Sequence, residues 1–324
     1  MEKHLNDWME ILQGMSNDNT YKLAWGRAII EIILLKGFSA CKDDTYVIEF
    51  DEISKKILKY YWNQIFFFNL KQSSNSKKPP IIFSIVSEII EKYKKYKQTN
   101  IPIWFDRTES FFNSYINDYD KTIKKISRTL KSDVCWRFLY ANKKQYEIYR
   151  LSEDKTKVFI NKKNAIIIKD YAIILTQIIN YRWAQLLEQY NRSPKIASKV
   201  QGSIDNKIRR KNLKRFKDIL IKQYKDNQIV DFYTSEALEL NDISVDHVIP
   251  WSFMYSDDIW NLVLTSKSNN SKKSNNIPSL EYIEKLKIRN ENLLNLIDDN
   301  SAIQELKHAI DQDFVTKFYY DAIV

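Results

Sequence analysis

Of the three histidines in the 324-residue chain, His247 sits directly after Asp246 and shortly before Pro250, in the stretch VDHVIPWSFMYSDDIWNLVLTSKSNNSKKSNN (245–276). Asn261 and Asn270 follow within the same stretch. These residue types suit one kind of chemistry. An aspartate is a hard oxygen ligand for Mg²⁺, and an asparagine carbonyl can join it on the same ion. Histidine, a residue type that ordinarily titrates near neutrality, is the natural base for water. A metal ion on a phosphoryl oxygen, a base and fixed geometry are what phosphodiester hydrolysis requires. With one carboxylate and one amide from the protein, water and phosphate must fill the remaining metal positions.

Such a set needs a backbone that holds it still. IVDFYT (229–234) and ISVDHVI (243–249) both suit short strands, with a polar turn between them. On a strand, Asp246 and His247 face opposite sides, so one can hold a metal while the other aims at a scissile phosphate. DDIWNLVLTS supplies a loop and a third short segment, and SNNSKKSNN (268–276) has the Ser and Asn content of a short capped helix. The order is strand, strand, loop, helix: a ββα core over residues 228–279. Just before it, residues 206–225 carry nine basic side chains and one acidic one, with Leu213, Phe216, Leu220 and Tyr224 at three- and four-residue steps. That spacing predicts an amphipathic helix. Its basic face, with Lys207, Arg209, Arg210, Lys211, Lys214, Arg215 and Lys217, suits sequence-independent contact with phosphates. The plainer reading is a solvated face over a core.

The stretch resembles the HNH, or ββα-metal, nuclease family, and within it the HNH domain of the RNA-guided CRISPR type II effectors. The family pattern is D-H, two hydrophobic residues, P-x-S-F, an Asn fourteen residues after the His and a second Asn nine later. Asp246, His247, Pro250, Ser252, Phe253, Asn261 and Asn270 occupy those places without a gap, and NLVLT (261–265) and KSNNIPS (273–279) continue the likeness. The resemblance implies Asp246 and Asn270 as metal ligands, with Mg²⁺ or Mn²⁺ as the ion, and His247 as the base. It implies that Asn261 holds the loop through backbone hydrogen bonds and so orients the histidine, and that Lys273 lies near the phosphate. Many family members carry two cysteine pairs around a structural zinc. Here Asp231 and Thr234 of DFYT, and Ser266 and Asn269, stand at those places. No structural Zn²⁺ is therefore expected, and packing by Phe232 and Tyr233 must replace it. Trp251 and Trp260 read as core residues, and Asp257 and Asp258 as loop or cap residues.

The rest of the chain sets the context. Hydrophobic residues make up 44% and aromatic ones 14%, enough for a substantial core, and only 4 Gly and 6 Pro interrupt it, which favours long helices. The net charge is +10, and it is uneven: the first 200 residues hold 34 basic and 22 acidic side chains, the remainder 17 and 19. A basic body favours a polyanionic partner. Two distant cysteines exclude a disulfide framework and suit a reducing cytoplasm. The apolar run AIIEIILL (28–35) is too short to span a bilayer.

Periodicity predicts helices over 1–36, after Asp51 as a cap, over 82–97, 108–130 and 168–191, with a strand at TYVIEF (45–50). VCWRFLY, YEIYRL and KVFINK (134–161) read as two or three strands. QGS (201–203) is a polar stop and the expected boundary. The expected fold class is α+β and mostly helical: a basic helical region over 1–202 with a small sheet inserted, for recognition or partner docking, then an HNH nuclease domain over 203–324. The function expected is metal-dependent endonuclease action on DNA in restriction or anti-phage defence, nicking or, as a homodimer, cutting both strands. The alternatives are a nucleic-acid-binding subunit working with a defence partner, and an RNase of the toxin type. No membrane association is expected.

Overall fold

The structure, a computed structural model, describes residues 2–37, 41–73, 78–205, 212–224 and 228–323. It is α+β and mostly helical, and it divides into two compact units. One holds residues 1–191 with 196–207; the other holds 192–195 with 208–324.

The first unit contains helices α1 (Glu2–Gly14), α2 (Tyr21–Lys36), α3 (Phe50–Trp62), α4 (Ile81–Lys97), α5 (Glu109–Ser114), α6 (Ile116–Thr129), α7 (Lys162–Asp170), α8 (Ala172–Tyr190) and α9 (Ile196–Asp205). Its strands are β1 (Cys41–Lys42), β2 (Thr45–Glu49), β3 (Tyr140–Ala141), β4 (Lys144–Gln145), β5 (Arg150–Leu151) and β6 (Lys157–Asn161). Most of α2 is buried on every side, the mark of a central helix, and it packs against α3, α7 and α8. Gly26 permits that closeness: a Cβ there would stand 2.7 Å from Cζ of Phe138. An antiparallel sheet of order β1-β2-β6-β5 lies beside the helices, with Thr45 opposite Asn161 and Glu49 opposite Lys157. No helix among the described residues is long and apolar enough to cross a membrane.

Several local expectations change. Helix α3 starts a residue before Asp51, with Glu49 and Glu52 closing a reciprocal capping box. VCWRFLY is not a strand. The turn of α6 runs on through a π-helical segment, Leu130–Val134, and a short 3₁₀ turn, Arg137–Leu139. The backbone bond from Cys135 N to Leu130 O carries this continuation, and it overrides the β preference of the aromatic residues. QGS lies inside α9 rather than ending a helix.

The second unit contains α10 (Lys214–Ile221), β7 (Ile243–His247), α11 (Trp251–Met254), β8 (Leu262–Ser266), α12 (Lys267–Lys273), α13 (Leu280–Leu294), α14 (Asn300–Asp311) and α15 (Phe314–Ile323). Strands β7 and β8 form an antiparallel pair, from Ile243 opposite Ser266 to His247 opposite Leu262. The strand that pairs with β7 is therefore LVLTS (262–266), which follows it, and not IVDFYT, which precedes it. Residues 229–234 make only a single bridge, Val230 to Ala237. The reason is Asp231, whose Oδ1 accepts from the backbone N–H groups of Tyr233 (2.8 Å) and Thr234 (3.2 Å) and so turns the chain. The helix expected over 206–225 is α10 where it is described, starting at Lys214; residues 206–211 lie outside the described residues. Leu220 is buried, with Leu213, Phe216 and Tyr224 against the same core. That core joins α10 and the strand pair to α13, α14 and α15 through Val248, Leu262, Ile283, Leu286 and Leu306.

Candidate active site

At the His247 end of the strand pair, the chain leaves β7 and turns at Pro250 into α11. Asn261 fastens that turn. Its Oδ1 accepts from Ile249 N and its Nδ2 donates to Ile249 O, both at 2.8 Å, while its own carbonyl accepts from Val248 N at 2.9 Å. Asn261 is 1% exposed, so these bonds are closed to water. The loop before it is held from outside. Glu305 Oε1 on α14 accepts from Ile259 N at 2.5 Å, and Arg289 and Asn290 on α13 donate to the carbonyls of Ile259 and Trp260. Burial pushes the Glu305 carboxyl up to about 7 and the Arg289 guanidinium down to about 9. Trp251 and Trp260 are buried, as core residues.

Asp246 is 5% exposed. Tyr233 donates its hydroxyl to Asp246 Oδ2 at 2.5 Å, and Lys273 Nζ lies 3.0 Å from the same oxygen. Among the described residues no hydrogen bond falls on Asp246 Oδ1. Burial, then the neighbouring Asp246 charge, drive the Tyr233 hydroxyl far above its ordinary value, so it stays a donor. Burial also lowers the Lys273 ammonium, against the pull of Asp246. Lys273 further donates to His247 O at 2.7 Å. Asn270, one turn earlier on α12, donates its Nδ2 to Ser244 Oγ (2.7 Å) and Val245 O (3.3 Å). Its amide donors are thus spent on β7, and its carbonyl oxygen remains for a ligand role. One carboxylate oxygen and one amide oxygen, both fixed by neighbours, fit a hard divalent cation.

His247 Nε2 lies 3.0 Å from Asp257 Oδ1, and both side chains are largely buried. Asp257 is thus more than a loop residue, and Tyr233 more than packing. The signal for Asp257 was a Ser-Asp-Asp turn between two segments that must lie side by side. For Tyr233 it was a hydroxyl-bearing aromatic beside a segment that packs under β7.

The other end of the strand pair is built around Asp231, which is 1% exposed. Its Oδ2 accepts from Thr265 Oγ1 (2.8 Å), Ser266 N (2.8 Å) and Asn269 Nδ2 (2.9 Å), and Ser266 Oγ caps α12 by accepting from Asn269 N (3.0 Å). Burial opposes its charge, but these bonds outweigh it and hold the carboxyl below its ordinary value. The four places at issue for cysteine pairs are thus joined by a carboxylate hub. Beside it, Tyr233 packs edge-on against Phe232 and Tyr282, its ring centroid 5.2 Å from each.

Of the basic residues on α10, Lys214 is exposed, Arg215 pairs with Asp299 at 3.1 Å, and Lys217 donates to Ile243 O at 3.2 Å. Lys207, Arg209, Arg210 and Lys211 lie outside the described residues.

Residues 231–279 match the HNH endonuclease family. These residues, inside the second unit, therefore form an HNH endonuclease domain. Residues 2–202 match a second family, described as Domain of unknown function (DUF8808); this is more than half of the chain, and the chain belongs to that family. The chain is 39% identical over 61 residues to the CRISPR-associated endonuclease Cas9 of Listeria innocua serovar 6a, and 40% identical over 60 residues to that of Streptococcus mutans serotype c. Those alignments cover 18% of this chain but only 5% and 4% of the two relatives.

Proposed function

We propose that the chain is a divalent-metal-dependent endonuclease that hydrolyses phosphodiester bonds of DNA. The observation that carries this reading is the fixing of Asp246, His247 and Asn270 on the β7–α12 corner, with each side chain held by a separate neighbour. Asp246 and Asn270 would hold Mg²⁺ or Mn²⁺. When bound, such an ion polarises a phosphoryl oxygen and offsets the charge that develops on it. His247 takes the proton from the attacking water. Asn261 keeps the turn after His247 from moving, which preserves the angle of attack. Lys273 holds the Asp246 carboxylate against β7 and adds positive charge beside the reacting phosphate.

The basic first unit supports a nucleic-acid substrate, and one such site cuts one strand, so nicking follows, or double-strand cutting through a dimer. The likeness to CRISPR-associated endonucleases supports a place in restriction or anti-phage defence, alone or with a partner protein. The unpaired Cys41 and Cys135 suit a cytoplasmic setting. Incubating supercoiled plasmid, and in parallel structured RNA, with the protein and Mg²⁺ or Mn²⁺ tests the reading. Nicking of DNA that EDTA stops and His247→Ala abolishes is expected. Equal nicking by His247→Ala would remove the assigned base, and cleavage of RNA alone would replace the substrate.

A further inference from the structure

Asp257 lies in the loop between α11 and Asn261, ten residues beyond the histidine, yet its carboxylate meets the ring at 3.0 Å. The loop is built to bring it there. Tyr255 turns the chain in the left-handed region (φ 54°), Ser256 donates its hydroxyl to Asp258, and Asp258 O accepts from Asn261 N at 2.9 Å. Glu305 then pins Ile259 from α14. His247 and Asp257 are 11% and 12% exposed at the side chain, so water competes little for the bond.

A carboxylate oxygen accepts and does not donate, so the ring nitrogen facing it carries the proton. Nε2 is therefore N–H, and in the neutral ring the lone pair is on Nδ1. We infer that Asp257 is a positioning residue for the proposed nuclease reaction: it fixes His247 as the Nε2–H tautomer and so presents Nδ1 to the attacking water. This rests on His247 being the base. The same relation between base and orienting carboxylate recurs wherever a histidine must hold one tautomer during proton transfer. Without Asp257 the ring samples both tautomers and rotates, and only part of the population presents an unprotonated nitrogen to water.

The test uses the full chain, with ¹⁵N-labelled histidine, as wild type, Asp257→Ala and Asp257→Asn. Ring nitrogen shifts of neutral His247 are read in the metal-free protein, and plasmid cleavage is read with Mg²⁺. The wild type should show the Nε2–H tautomer and Asp257→Ala a mixture, with kcat lower by about 10–100-fold and KM unchanged. Asp257→Asn keeps nearly the same volume, but its amide can accept from Nε2–H or donate to Nε2, so it too should disturb the tautomer and lower kcat; if the alanine variant does not fold, an unchanged tautomer and rate in Asp257→Asn would overturn the inference. An unchanged tautomer and rate in a folded Asp257→Ala would overturn the inference. If the wild type cleaves no nucleic acid yet its tautomer still depends on Asp257, the positioning stands and the nuclease reading falls.

Discussion

At one end of the β7–β8 pair, Asp231 accepts five hydrogen bonds spread over both carboxylate oxygens. At the other end, Asp246 is almost as buried, but its bonds from Tyr233 and Lys273 converge on Oδ2. A carboxylate offers about four lone-pair sites. Asp231 has no capacity left and can only hold structure. Asp246 keeps an oxygen in reserve, and beside it stand an amide whose donors are spent and a histidine held by a carboxylate. Two buried aspartates, one on the strand pair and one beside it, are thus held differently: Asp231 joins the chain with every lone pair taken, and Asp246 keeps an oxygen for the proposed metal.

That division can be broken from either end. The largest effect is expected for His247→Ala, which should slow cleavage by about 10²–10⁴-fold, the usual share of a positioned base, in single-turnover assays, with the melting curve little changed. Next, Asp231→Ala strands several buried donors around Thr265, Ser266 and Asn269 and should cost more than about 3 kcal/mol in urea denaturation. Asn261→Ala leaves Ile249 N–H and C=O unpaired and should cost about 1–3 kcal/mol, with lower cleavage as the His247 turn loosens.

Acid and base act on different groups. The Asp231 carboxyl lies below its ordinary value, so its contribution is present above the ordinary carboxylate range and is lost as pH falls through its folded value. Glu305 is the reverse. Its carboxyl is raised from 4.5 to about 7, so its contribution is present below 4.5 and is lost as pH rises toward 7. Between about pH 5 and about pH 7, Tm of Glu305→Gln should rise relative to that of the wild type, because the variant lacks the carboxyl whose charging burial opposes. The smallest effect is expected for exposed Lys214. Its loss should reduce the slope of log affinity against log salt by about 1 if it meets a phosphate.

The motif was legible in the sequence because its residues keep the spacing of the HNH family, a resemblance that implied the roles of Asp246, His247, Asn261 and Asn270, and the Ser and Asn content of 268–276 announced a short capped helix; the pairing of the strands was not legible. IVDFYT misled because its apolar alternation says nothing of a side chain that bonds its own backbone, as Asp231 does. Asp257 was hidden for a related reason: the course of a loop depends on what holds it, here Glu305, Arg289 and Asn290 from helices much later in the chain. Lys273 was expected near the phosphate; its contact with Asp246 was not foreseen. It is three residues after Asn270 on a helix, so both side chains face β7 together.

The most direct test of the division is a single comparison of Asp246→Asn with Asp231→Asn, reading plasmid cleavage with Mg²⁺ and the urea midpoint on the same preparations. Asp246→Asn should lose cleavage and give up less of its midpoint than Asp231→Asn, which should lose its midpoint first. An Asp246→Asn protein that cleaves at the wild-type rate would contradict the account.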